Sequence, residues 1–157
     1  MSNDHSTSKE IEQLLVRSDS PNKFYPKGFD YGAEYAHAKS MIKQIEQSTD
    51  AVAQAESPSV NQDGSRFMRF VLRDGASGAE VADVYLSSFG RLATIDGCAA
   101  HAFESIVQVL AEWNYRYVPI KFLKIPYNGP HETFVGMTWL SRYFTAWYRA
   151  DDGDSAA

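Results

Sequence analysis

Between Tyr115 and Arg149 the chain runs through Tyr-Arg-Tyr-Val-Pro, Ile-Pro-Tyr-Asn-Gly-Pro and Thr-Trp-Leu-Ser-Arg-Tyr-Phe-Thr-Ala-Trp-Tyr. Three of the six prolines and much of the aromatic content fall in this one stretch. Rings this dense need a surface to bury against, and the prolines restrict how the backbone gets there. The stretch therefore reads as the packed end of a small α+β domain. It holds no nucleophile–base pair, no metal-ligand cluster and no phosphate loop.

At 157 residues the chain fits one domain and is long enough to bury a core without staples. A hydrophobic share of 44% and a charged share of 22% lie within the globular range. The net charge of −5 argues against a nucleic-acid backbone as partner, since that binding rests on clustered Lys and Arg. An acidic surface suits a basic protein instead. Cys98 is the only cysteine, which excludes an intramolecular disulfide. With a polar amino terminus and no apolar run of membrane-spanning length, the expected protein is soluble and cytoplasmic, with no membrane partner.

Thr7 and Glu10 have capping-box spacing ahead of Ile11, Leu14 and Leu15, which predicts a helix over Ser8–Arg17. Ser18–Gly32 carries Pro21, Pro26, Gly28 and Gly32 and reads as a loop bearing Phe24, Tyr25, Phe29 and Tyr31. Apolar residues from Tyr35 to Val52 at helical spacing predict a second helix over Ala33–Ala55, with its last turns prone to fray. Ser57–Ser65 reads as a linker after a helical segment spanning residues 1–57. Alternation over Arg66–Arg73 puts Met68, Phe70 and Leu72 on one face; strands at Val81–Ser87 and Arg91–Ile95 follow. Asp74–Gly78 is a turn, and Gly90 suits a tight hairpin. Ala102, Phe103, Ile106, Leu110 and Trp113 stripe a helix over Ala99–Trp113, which Asn114 terminates. A short strand over Tyr115–Val118 and a helix from Thr138 to Arg149 complete an α+β core over residues 66–149. The expected sheet is small and antiparallel, with three to four strands packed against helices. Residues 150–157 read as a mobile acidic tail, and the whole chain as a single domain.

The candidate chemistry is thin. His131-Glu132 lacks the second His that the zinc-protease helix needs, because position 135 is Val. Cys98 lies at a helix start with His101 three residues on, where a helix dipole lowers a thiol pKa; a small buried hydrophobe is the commoner role. Arg66, Arg69, Arg73 and Arg91, interleaved with Phe67 and Phe89, have the composition of a basic stripe, but arginines on the wet face of a sheet look the same. Arg142 sits among aromatics of the last helix, suited to stacking on a ring or tying down a carbonyl. No catalytic residue, metal or cofactor is expected.

Val84-Tyr85-Leu86-Ser87-Ser88-Phe89-Gly90-Arg91-Leu92-Ala93-Thr94-Ile95, then a helix, then Tyr115-Arg116-Tyr117-Val118-Pro119, Pro126-Tyr127-Asn128-Gly129 and Thr138-Trp139-Leu140-Ser141-Arg142-Tyr143-Phe144, resembles the immunity proteins of bacterial polymorphic toxin and contact-dependent growth-inhibition systems. The resemblance covers residues 66–149. It implies a small cytosolic protein that binds a cognate toxin domain, often a nuclease, and blocks it by occlusion without catalysis. The docking patch to test first is Asp19, Tyr25, Phe29, Asp30, Tyr31 and Glu34, with acids for steering and aromatics for affinity. The competing readings are a small ligand-binding or catalytic α+β domain, whose cleft would enclose Cys98, His101 or His131, and a helical adaptor that pairs through its amino-terminal helices.

Overall fold

A computed structural model describes residues 3–56 and 64–145. Helix α1 (Asn3–Arg17) leads through a loop into α2 (Tyr31–Thr49), then strands β1 (Ala51–Ala55), β2 (Arg66–Asp74), β3 (Glu80–Ser87) and β4 (Leu92–Cys98). Helix α3 (Ala100–Glu112) crosses to β5 (Arg116–Tyr117), and α4 (Trp139–Phe144) follows two short 3-10 turns. The protein is α+β, but the sheet has five strands in the order β1-β2-β3-β4-β5. It is mixed: β4 pairs with β5 in parallel while the other pairings are antiparallel. Parallel neighbours require a crossover, and α3 supplies it.

The expected helix over Ala33–Ala55 is two elements. Asp50 adopts a left-handed conformation (φ 59°) and its N–H closes on the Glu46 carbonyl, ending α2 at Thr49. Beyond it Ala51–Ala55 pairs residue for residue with Asp74 back to Phe70. Alanines fit helix and strand alike, so the pattern hid the switch; tertiary pairing with β2 decided it. Residues 1–57 are therefore not wholly helical, and their strand belongs to the same sheet as residues 66–98. Helix α1 begins at Asn3, so Thr7 and Glu10 lie inside it rather than at its cap. Helix α4 stops at Phe144, since Thr145 is already extended. Trp147, Arg149 and the expected tail lie outside the described residues, as does most of the expected linker.

Two apolar clusters hold these elements. In the first, Ala38, Met41, Ile42 and Ile45 of α2 and Ala102, Ile106, Val109 and Leu110 of α3 cover Phe70, Leu72, Val84, Leu86 and Ala93 of the sheet. The second gathers Leu15 of α1, Phe89 and Leu92 of the β3–β4 turn, and Leu123, Tyr127, Phe134, Trp139, Tyr143 and Phe144. The aromatic end foreseen in the sequence is this second cluster. Its hinge is the four-residue connection Ser88–Arg91: Gly90 (φ 59°) and Arg91 (φ 52°) are both left-handed, and the Leu92 N–H closes the tight turn on the Phe89 carbonyl at 3.1 Å. A side chain at Gly90 would also stand 2.7 Å from the Ser18 hydroxyl. The glycine thus lets the start of the α1–α2 loop lie directly on the hairpin.

Candidate functional site

The α1–α2 loop, Ser18–Asp30, is the longest described stretch that belongs to no regular element, and it carries one exposed aromatic, Tyr25. It is braced from below by one side chain. Arg142 of α4, 1% exposed, directs Nε to the Asp19 carboxylate at 2.9 Å. Its Nη1 donates to the Lys23 carbonyl at 2.9 Å, and Nη2 to those of Ser20 and Asn22 at 2.9 and 2.8 Å. The guanidinium plane lies 3.8 Å from the Phe134 ring centroid and 4.4 Å from that of Phe89. A planar fork with fixed donors holds three loop carbonyls at once; a flexible ammonium offers no such template. Both sequence-based expectations for Arg142, ring stacking and carbonyl anchoring, are met together.

Asp19 completes the brace. Its side chain is 1% exposed and also accepts from the Tyr127 hydroxyl and its neighbour's Ser20 N–H. The expectation that Asp19 lies on a docking surface is therefore corrected: its carboxylate is sealed by the charge that balances it. Farther along, the Ser88 hydroxyl donates to the Phe24 carbonyl at 2.6 Å. The Phe29 N–H then closes on Pro26 at 3.1 Å, with Gly28 left-handed (φ 83°).

The other expected patch residues divide into those that face inward and those that face out. Tyr31 and Phe29 meet Phe67 edge-on at 5.1 and 5.8 Å, so both are tied to the sheet. Asp30 caps α2 through the Ala33 N–H at 3.1 Å while remaining exposed. Glu34 takes two bonds from Arg91, at 3.0 and 3.1 Å, and one from the Tyr115 hydroxyl at 3.1 Å; its side chain is 14% exposed. Tyr25 is different. It stacks on Phe29 at 6.0 Å and keeps 46% of its surface exposed. Of the six residues expected to form a patch of acids and aromatics, Tyr25 and Asp30 are exposed, while the Asp19 and Glu34 carboxylates are drawn into ion pairs.

The arginines do not form a basic stripe. Arg69 makes two 2.9 Å bonds to Asp83, Arg66 pairs with Glu56 at 2.7 Å, and Arg91 is held by Glu34. Tyr85 lies between Arg66 and Arg69 with its centroid 5.5 and 5.4 Å from the two guanidinium carbons. Arg66 is itself buried rather than on a wet face.

Burial pushes the Cys98 thiol up, opposite to the lowering that a helix start suggests, and Sγ bonds to the Ala99 carbonyl at 3.3 Å. His131 packs edge-on against Phe134 at 6.2 Å, and its backbone N–H donates to the Tyr127 hydroxyl. Among the described residues no group of three or more His, Cys, Asp or Glu side chains could hold a metal ion. A cavity of about 280 Å³ under the loop is lined by Phe24, Phe134, Met137, Ser141 and Arg142, among others; Cys98, His101 and His131 are not among them.

These features define an α+β protein with a mixed five-stranded sheet that carries a surface loop braced by a buried arginine. No protein-family model, curated protein or solved structure matches the chain. No helix among the described residues is long and apolar enough to cross a membrane.

Proposed function

We propose that this chain is an immunity protein that binds a cognate bacterial toxin domain and neutralises it by occlusion. The supporting observation is the Ser18–Asp30 loop, which holds Tyr25 at the surface while Arg142 fixes the backbone beneath it. A loop held in place before docking loses less entropy when it binds, and a rigid aromatic supplies large contact area. Tyrosine is also among the residues that most often dominate binding energy. The resemblance over residues 66–149 supplies the class of partner, and the loop supplies the means. Steering by the overall charge of −5 speeds encounter with a basic domain, while the contact itself is aromatic.

The ligand-binding alternative has the cavity under the loop in its favour. Neither this cavity nor the more open hollows of about 410 and 510 Å³, lined by Asn22–Phe29 and by Lys9, Glu12, Gln13, Val16, Arg17 and Asn128, encloses any of the candidate nucleophiles or bases. The docking reading is favoured.

Co-expression is the test. The upstream neighbouring reading frame is expected to encode a larger secreted protein with a variable carboxy-terminal domain. Cells making that domain should survive when they also make this chain, and Tyr25→Ala should weaken the protection. Death of the cells with both proteins soluble and abundant would reject the proposal.

A further inference from the structure

Among the described residues, strand β1 is outermost in the sheet and meets β2 along one side only. In an antiparallel ladder alternate residues turn their N–H groups toward the neighbouring strand, and the rest turn theirs away. Just past β1, the Glu56 N–H donates to the Arg69 carbonyl of β2 at 3.0 Å. Positions 52, 54 and 56 thus face β2, while Ala51, Ala53 and Ala55 present their amides to the open edge. Such amides are templates for pairing with another chain.

Two of them are already taken, and by side chains. The Ala53 N–H donates to Oε2 of Glu46 at 2.8 Å, and the Ala51 N–H to Oγ1 of Thr49 at 3.3 Å. Both acceptors come from the last turn of α2, folded back over the strand by the left-handed Asp50. The strand itself, Ala-Val-Ala-Gln-Ala, has no lysine, proline or charge, and Val52 is 57% exposed. Its own side chains supply none of the charges or prolines that proteins place on edge strands.

We propose that Glu46 is an edge guard: its carboxylate on the Ala53 amide keeps β1 from pairing with the β1 of a second copy of this chain. An incoming carbonyl must displace the side-chain oxygen that the Ala53 N–H already holds at 2.8 Å. The second copy is the occupant that the composition fits. Antiparallel pairing centred on Ala53 sets Ala51 against Ala55 and Val52 against Gln54, with no like charges opposed.

Light scattering across a concentration series tests this. Wild-type protein and Glu46→Gln, whose amide oxygen still accepts from Ala53, should stay at the 17.6 kDa of one chain. Glu46→Ala should rise toward twice that mass with concentration. Adding Ala53→Pro, tolerated where an N–H points away from the sheet, should return it to one chain. A natively folded Glu46→Ala that stays at one mass throughout overturns the proposal, as does a dimer that survives Ala53→Pro. Should Glu46→Ala fail to fold, amide exchange in the wild type decides: the Ala53 amide should exchange slowly despite its edge position. Exchange as fast as in an unstructured peptide would reject the guard.

Discussion

Nε of Arg142 stands 2.9 Å from Oδ1 of Asp19, although the two lie 123 positions apart in the sequence, and each side chain is 1% exposed. Neither residue tolerates the loss of the other, because removal of one leaves a buried charge without its balance. Arg142→Met is predicted to lower unfolding stability by about 3–5 kcal/mol, read from the urea midpoint. Arg142→Lys should recover little of this, since an ammonium cannot reach three carbonyls and a carboxylate in one plane. Amide exchange in Ser18–Asp30 should quicken in both variants more than exchange in β3.

Tyr25 and Glu34 separate docking from folding. Tyr25→Ala removes an exposed ring and should change stability by no more than about 0.5 kcal/mol. Under the proposed function it should still weaken partner binding by about 2 kcal/mol, roughly thirtyfold in Kd. Glu34→Ala strips partners from Arg91 and the Tyr115 hydroxyl, so its first effect should be on the melting temperature. Calorimetry of both variants, free and with partner, reads the contrast.

Cys98 should label slowly. Burial disfavours its thiolate, and the thiolate is the reacting form. Alkylation at neutral pH is predicted to run slower than that of a free thiol, and Cys98→Ser should leave protection of cells intact. Labelling faster than the free thiol would contradict the buried environment.

Alkaline titration should find tyrosines that resist ionisation. Burial first, then Tyr35 and Glu56, pushes Tyr31 from 10.0 up to about 12; Tyr115 and Tyr143 move the same way, again chiefly by burial. A raised folded-state pKa means the native state holds its proton more tightly than the unfolded chain. The Tyr31 contribution is therefore fully present below about 10 and lost as pH rises through about 12. Phenolate absorbance should appear in at least two phases, the later one coincident with loss of tertiary signal.

Much of this architecture was legible before any coordinates, and the failures have identifiable causes. The α3 stripe, the Gly90 hairpin and the left-handed Asn114 (φ 67°) follow from side-chain periodicity and local sterics. Strand β1 did not, because Ala-Val-Ala-Gln-Ala has no pattern of its own and takes its state from β2. Strand β5 is too short, at two residues, to show alternation, and its parallel pairing depends on where α3 delivers it. Among the candidate docking residues, the aromatics of the loop were visible as such. The fate of its acids was not: Asp19 and Glu34 are claimed by Arg142 and Arg91, and nothing local in the sequence announces a partner so distant.

That remoteness orders events at the ribosome. Every strand of the sheet has been synthesised by Tyr117, yet the clamp on the early loop arrives only with residue 142. A nascent polypeptide halted before that point would have the strands and the Ser88 and Phe67 contacts to the loop, but not the clamp on its Asp19–Lys23 turn. The order of this loop is thus written into a residue that leaves the ribosome long after the loop itself.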